Sequence, residues 1–208
     1  MSVEPPELRE LSTQTQRVYE RNAHKWTSER PKDLVERRWL DGFLDLAPRY
    51  GKILDLGCGA GDPIARYFIE NNRTTIGVDA CVEMIKLARN NFPNEDWRIQ
   101  DMRSLNLPEK FAGIIGWNSF FHLTKDEQRA VLPVLADYLV PDGSLLLTVG
   151  PDDGEVAGYV CDDSVYHASL SPTEYQNILT ENGLTIKEFV LEDPLCFGMT
   201  LLLAQKSQ

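Results

Sequence analysis

The sequence predicts an α/β protein built on a mostly parallel sheet, and three observations carry that prediction. Short apolar runs at 52–56, 74–78, 96–100, 113–117 and 144–149 alternate with amphipathic helical stretches, the pattern of parallel strands buried on both faces. The first run opens into Gly57, Gly59 and Gly61, a turn whose missing Cβ atoms let backbone N–H groups approach a ligand. The last two runs, 184–191 and 199–204, are joined by a link too short for a crossover helix and are read as an antiparallel hairpin.

Residues 1–12 read as a flexible lead-in, and 13–208 as one domain, which suits a chain of 208 residues. Two helical segments over 13–47, broken near Arg30-Pro31, form an N-terminal cap. In the second, Leu34, Val35, Trp39, Leu40, Phe43 and Leu44 make one apolar face. The glycine turn leads into a helix over 63–71, the second strand into a helix over 82–91, and the fourth into a helix over 125–139. Pro141-Asp142-Gly143 reads as a turn into the fifth strand. After Gly150 the pattern stops for about twenty residues, a loop long enough to act as a lid. Ser171-Pro172-Thr173-Glu174 is a helix start, with Ser171 as N-cap and Pro172 at the first helical position.

Composition narrows the function. Lys plus Arg is 21 and Asp plus Glu is 32, a net charge of −11. That balance repels phosphate backbones and argues against nucleic acid as a partner. No apolar run reaches the roughly 18–20 residues of a membrane span, and the polar N-terminus lacks a signal-peptide pattern, so a cytoplasmic protein is expected. Cys58, Cys81, Cys161 and Cys196 are scattered without a CxxC pair, so neither a metal site nor a disulfide framework is read.

The extended string Asp55-x-Gly57-x-Gly59-x-Gly61 differs from the G-x-G-x-x-G dinucleotide fingerprint. It resembles motif I of the class I S-adenosylmethionine-dependent methyltransferases, small-molecule type. Asp79 ends the second strand and Asp101-Met102 the third, so three carboxylates share the carboxyl edge of one sheet. The resemblance implies a three-layer sandwich with a seven-stranded sheet of order 3-2-1-4-5-7-6, the seventh strand antiparallel. It also implies S-adenosylmethionine as cofactor, with S-adenosylhomocysteine as product. It places the cofactor against Asp55, Gly57, Cys58 and Gly59, its ribose on Asp79 beside Ala80, and its adenine near Met84, Asp101 and Met102. Tyr19 and Trp26, two helical turns apart, resemble the aromatic pair of a pre-fold helix that covers the cofactor; ordinary packing on the sheet explains them equally well.

Methyl transfer from a sulfonium needs alignment and exclusion of water more than acid–base chemistry. The reacting end is therefore expected after the fourth strand, in Trp117-Asn118-Ser119-Phe120-Phe121-His122, which resembles the family's motif IV region. Acids common there are replaced by Ala112 and Asn118. Trp117 is assigned to the cofactor, and Asn118 and His122 to catalysis. His122 is either a base, since imidazole titrates near neutrality, or a loop hydrogen-bonding group. Phe120 and Phe121, with Tyr159, Tyr166 and His167 of the lid, are candidates for the substrate pocket. The function read is methyl transfer to a small-molecule acceptor by direct in-line displacement, in a monomer or homodimer. Two other readings share the cofactor site: a protein methyltransferase, and a non-catalytic S-adenosylmethionine-binding protein.

Overall fold

The computed structural model describes residues 5–31 and 33–208. In chain order the elements are α1 (Pro5–Glu29), α2 (Arg37–Leu46), β1 (Ile53–Leu56), α3 (Ile64–Glu70), β2 (Thr75–Asp79), α4 (Val82–Asn91), β3 (Asp96–Ile99), β4 (Phe111–Gly116), α5 (Lys125–Tyr138), β5 (Leu139–Val149), β6 (Gly154–Val160), β7 (Asp163–Ser169), α6 (Pro172–Glu181), β8 (Leu184–Asp193) and β9 (Met199–Lys206). Seven strands form one sheet in the order β3-β2-β1-β4-β5-β9-β8. With the inserted β6–β7 hairpin set aside, this is the predicted order. β1 pairs in parallel with β2 and β4, and β4 with β5. β9 runs antiparallel between β5 and β8.

The central strands form because both their faces are covered. All four residues of β1 and all six of β4 are buried. One core lies between the sheet and α5–α6, around Ile114, Leu132 and Tyr175; the other lies on the α2–α3 side, around Phe43, Phe68 and Ile115. The result is three layers. α5 starts on a complete capping box, in which Thr124 and Glu127 each satisfy the other's backbone N–H. The Ser171 hydroxyl accepts the Glu174 N–H at the start of α6, with Pro172 just inside the helix.

Two expectations about the cap are corrected. Residues 5–12, read as a lead-in, belong to α1, and Leu8 packs against Tyr166 and Ala168 of β7; residues 1–4 lie outside the described residues. The lid is a two-stranded antiparallel hairpin, β6–β7, and not a loop. It lies against α1, with Val18 packed on Val160 and Val165. The turn read at 141–143 falls inside β5, whose register with β4 shifts between Phe111 and Gly113.

Candidate active site

The carboxyl edge of β1, β2 and β4, covered by α1, encloses a cavity. The glycine turn forms its floor. Gly57 has φ +74° and Gly59 +53°, a left-handed backbone that favours glycine. A Cβ on Gly57 would also stand 2.4 Å from the Ser119 Cβ. Ser119 Oγ donates to the Leu56 carbonyl at 2.5 Å, tying the turn after β4 to the end of β1. Asn118, at φ +52°, donates its N–H to Thr148 Oγ1 of β5 at 3.2 Å.

Asp79 ends β2 with both carboxylate oxygens engaged on one side. Oδ2 accepts the Gly59 N–H at 2.9 Å and Oδ1 the Cys81 N–H at 2.8 Å. Desolvation nonetheless pushes its pKa up to about 6, with Glu20 adding to the rise. Asp55, in the centre of β1, is buried, and its Oδ2 has no hydrogen-bond partner. Burial raises its pKa to about 7 against the lowering pull of Arg30. At Asp101 burial acts upward, but Arg103, which donates to both carboxylate oxygens, holds the net pKa below the ordinary value.

The helix α1 supplies the roof through a stripe at three- and four-residue spacing, Gln16, Tyr19, Ala23 and Trp26, continued by Arg30 just past its end, whose N–H still donates to the Trp26 carbonyl. Gln16 Nε2 donates to the Ala80 carbonyl at 2.8 Å. Tyr19 and Trp26 meet edge to face at 5.8 Å. Arg30 lines the cavity. Its Nη2 has no hydrogen bond, and Glu36 Oε1 is 3.8 Å away. Glu36 Oε2 and Trp117 Nε1 are likewise buried without a hydrogen bond of ordinary geometry, although burial, which raises the Glu36 pKa, is opposed by both Arg30 and Trp117. Glu36 lines a neighbouring cavity with Arg30. The Arg30 and Trp117 donors at the wall of the first cavity suit a ligand that carries a carboxylate.

His122 sits where α1, the turn after β4 and the hairpin meet. Its Nδ1 lies 2.9 Å from the Tyr166 carbonyl, which only accepts, so Nδ1 carries the proton. Nε2 is then free to accept from the Tyr19 hydroxyl at 3.0 Å. Desolvation, with His167 and against the Tyr166 carbonyl, lowers its pKa to about 3. Near neutral pH it is an uncharged imidazole with both nitrogens engaged.

Tyr19, Trp26, Gly57, Gly59, Asp79, Ala80, Met84, Asp101, Met102, Trp117, Asn118 and His122 are brought together around the first cavity. Asp55 and Cys58 lie beneath the floor; Cys58 packs with Ala65, Ile85 and Trp97, and burial drives its pKa well up. The aromatic candidates for a substrate pocket divide. Phe120 is fully buried in the α5-side core, because the short helical turn Phe120–His122 points it inward, so it lines no pocket. Tyr159 is 70% exposed on β6 and lines neither the first cavity nor the one beside His167. Tyr166 is buried against Leu8, its hydroxyl donating to Glu155 at 2.7 Å. Phe121 and His167 line a second cavity. Arg30 and Gln16, which line the first cavity, were missed as site residues: the break at Arg30-Pro31 marked a helix end and hid that Arg30 extends the stripe of Tyr19 and Trp26. Among the described residues, no group of three or more His, Cys, Asp or Glu is placed to hold a metal ion, and no helix is long and apolar enough to cross a membrane.

Residues 53–143 match a family described as a methyltransferase domain. Over 144 residues the chain is 27% identical to the dTDP-3-amino-3,6-dideoxy-alpha-D-glucopyranose N,N-dimethyltransferase of Streptomyces fradiae, covering 67% of this chain and 55% of that protein. It is 29% identical over 104 residues to an uncharacterised methyltransferase of Schizosaccharomyces pombe, covering 50% of this chain and 41% of the relative. The chain thus spans about half the length of these curated relatives. Among solved structures, an S-adenosylmethionine-dependent methyltransferase from Clostridium acetobutylicum superposes with TM-score 0.71 at 15% identity, over 91% of this chain and 99% of that one. The S-adenosylmethionine-bound amino pentose methyltransferase CalS10 of Micromonospora echinaspora gives 0.69 at 17% identity, over 90% and 96%.

Proposed function

We propose that this chain, which carries a methyltransferase domain in the class I fold, transfers a methyl group from S-adenosylmethionine to a small-molecule acceptor. The observation that carries the reading is the Asp79–Gly59 hydrogen bond. It sets a carboxylate at the end of one strand on the lip of the glycine turn of the next, inside a cavity that α1 roofs. Bound there, the cofactor supplies a methyl already activated by a positive sulfur. The chain's own residues have positioning work. Asp79 would offer acceptor capacity to the ribose hydroxyls, Met84 and Met102 would flank the adenine, and Asp101 would lie at its edge. Arg30 would face the amino-acid end. Tyr19 and Trp26 would close the roof and keep water from the sulfonium, and Trp117 and Asn118 would border the methyl.

In this reading His122 fastens the roof and does not take a proton. Its Nε2 is occupied by Tyr19, and a pKa of about 3 makes it a weak base near pH 7. Relatives whose names specify amino-sugar and N-methyl chemistry make amines the first acceptors to assay.

Incubation with deuteromethyl-labelled S-adenosylmethionine and metabolite extracts tests the reading. Protein-dependent S-adenosylhomocysteine, with a labelled small molecule alongside, is the expected result. Tight cofactor binding with no S-adenosylhomocysteine above the protein-free control would reassign the chain to a non-catalytic binder.

A further inference from the structure

We infer that the acceptor occupies the second cavity as an amine, and that His167 is the side chain that meets its nitrogen. The inference rests on the methyltransferase reading above and deepens it. The cavity holds about 480 Å³, within the range of small-molecule sites. The turn after β4, the end of β5, the β6–β7 hairpin and the β8–β9 turn wall it. Asn118, just past β4, lines both cavities, so the second lies beside the place where the proposed methyl donor would end.

The two histidines at this junction differ. Both ring nitrogens of His122 are engaged within the protein, whereas the His167 imidazole, on a residue whose backbone pairs across the hairpin, has no side-chain hydrogen bond among the described residues. Packing alone holds its ring. Phe121 lies at 4.5 Å and His122 at 5.0 Å, and the ring rests on Gly158, where a Cβ would stand 2.2 Å from the imidazole Cε1. An imidazole held in place with its polar atoms unspent is built to meet a ligand. Burial lowers its pKa to about 4, so near pH 7 it is neutral and one nitrogen accepts an N–H.

Charge selects the class of acceptor. Asp152, Asp153 and Glu192 line the cavity and no Lys or Arg does; Lys125, 3.3 Å from Asp153, offsets one carboxylate from outside the wall. The field favours a cation at the mouth and repels an anion. An amine satisfies both features, entering as ammonium and presenting N–H to the imidazole.

Histidine-labelled full-length protein saturated with S-adenosylhomocysteine is titrated with cyclohexylammonium and with cyclohexanecarboxylate, and the imidazole resonances are followed by NMR. His24→Gln and His122→Asn assign the three histidines. Saturable shifts of His167 with cyclohexylammonium are expected, with affinity about tenfold or more above that for the carboxylate. His167→Phe keeps the ring packing and removes the nitrogens; Gly158→Ala displaces the ring. Each should weaken cyclohexylammonium about fivefold or more while leaving S-adenosylhomocysteine affinity within about twofold. Equal or tighter carboxylate binding, an unmoved His167, or unchanged affinity in His167→Phe would overturn the inference. Failure of S-adenosylhomocysteine to bind the wild-type chain would instead overturn the methyltransferase reading, and the same titration without it then judges the cavity alone.

Discussion

At the floor of the cavity, Asp55 is buried within β1 and Asp79 lines the cavity at the end of β2, their pKa values raised by desolvation to about 7 and about 6. Across the cleft, α1 meets the β6–β7 hairpin through groups that stand in solvent. Arg21 pairs with Asp163 at 2.7 Å, Lys25 with Asp162 at 2.8 Å, and Asn22 donates to Asp163 at 2.7 Å. The floor therefore carries one buried carboxylate oxygen, Asp55 Oδ2, without a partner and a desolvated Asp79 held by two backbone N–H groups, costs to stability that a ligand can recover. The cap carries satisfied surface pairs, which contribute little, and holds on through Val18, Val160 and Val165 and the Tyr19–His122–Tyr166 chain. An electrostatically unfavourable floor faces a roof held by three small apolar clusters and a few hydrogen bonds, an arrangement suited to opening for ligand exchange.

The sharpest way to break the floor is Gly57→Ala. The new Cβ meets Ser119 in a backbone at φ +74°, so several kcal/mol of stability are lost and cofactor affinity falls about 100-fold or more. Thermal unfolding and calorimetry read the two effects. Asp55→Asn moves stability the other way. The raised pKa means the folded state binds the proton more tightly than the unfolded one, so this group's contribution is fully present below about pH 4 and lost as pH rises through about 7. The amide removes that loss and stabilises the chain by up to about 4 kcal/mol near pH 8. Its advantage shrinks on acidification and vanishes near pH 4; a Tm gain that does not change with pH contradicts the account.

Tyr19→Phe tests the fastening of the roof. It leaves His122 Nε2 without its donor, which costs about 1 kcal/mol, and should speed amide exchange in α1 and β7 while the β1–β4 core keeps its protection. The pH sign at His122 is opposite to that at Asp55. Its folded pKa of about 3 lies below the ordinary value of 6.5, so its contribution is present above about pH 6.5 and lost as pH falls toward 3. Acid therefore loosens the roof while it relieves the floor. The smallest effect is expected from Arg21→Ala, an exposed pair member whose loss should leave Tm unchanged within error.

The floor was legible in the sequence because its signals are local. β1 and β4 are unbroken apolar runs, and the glycine spacing and terminal acids follow directly from strand ends. The hairpin was not. Its two-residue turn, between paired Val160 and Asp163, is Cys161-Asp162, and Cys161 takes φ +54° where Asn or Gly is the usual turn signal. Glycines at 154 and 158 dilute the alternation of β6, and the apolar face packs on α1, a partner distant in sequence. Phe120 and Phe121 show a similar limit. Adjacent aromatics read alike, yet one helical turn sends the first into the core and the second to a cavity. Arg30 escaped notice because its place depends on α1 continuing straight through the Tyr19–Trp26 stripe.

The most direct test of the central claim is calorimetry of S-adenosylhomocysteine with the wild-type chain and Asp79→Ala, with circular dichroism to confirm that both are folded. The account predicts one site per chain and an affinity about 50-fold or more lower in the variant, from loss of the acceptor pair proposed to face the ribose. Equal binding by the two folded proteins, or no binding by the wild type, would contradict it.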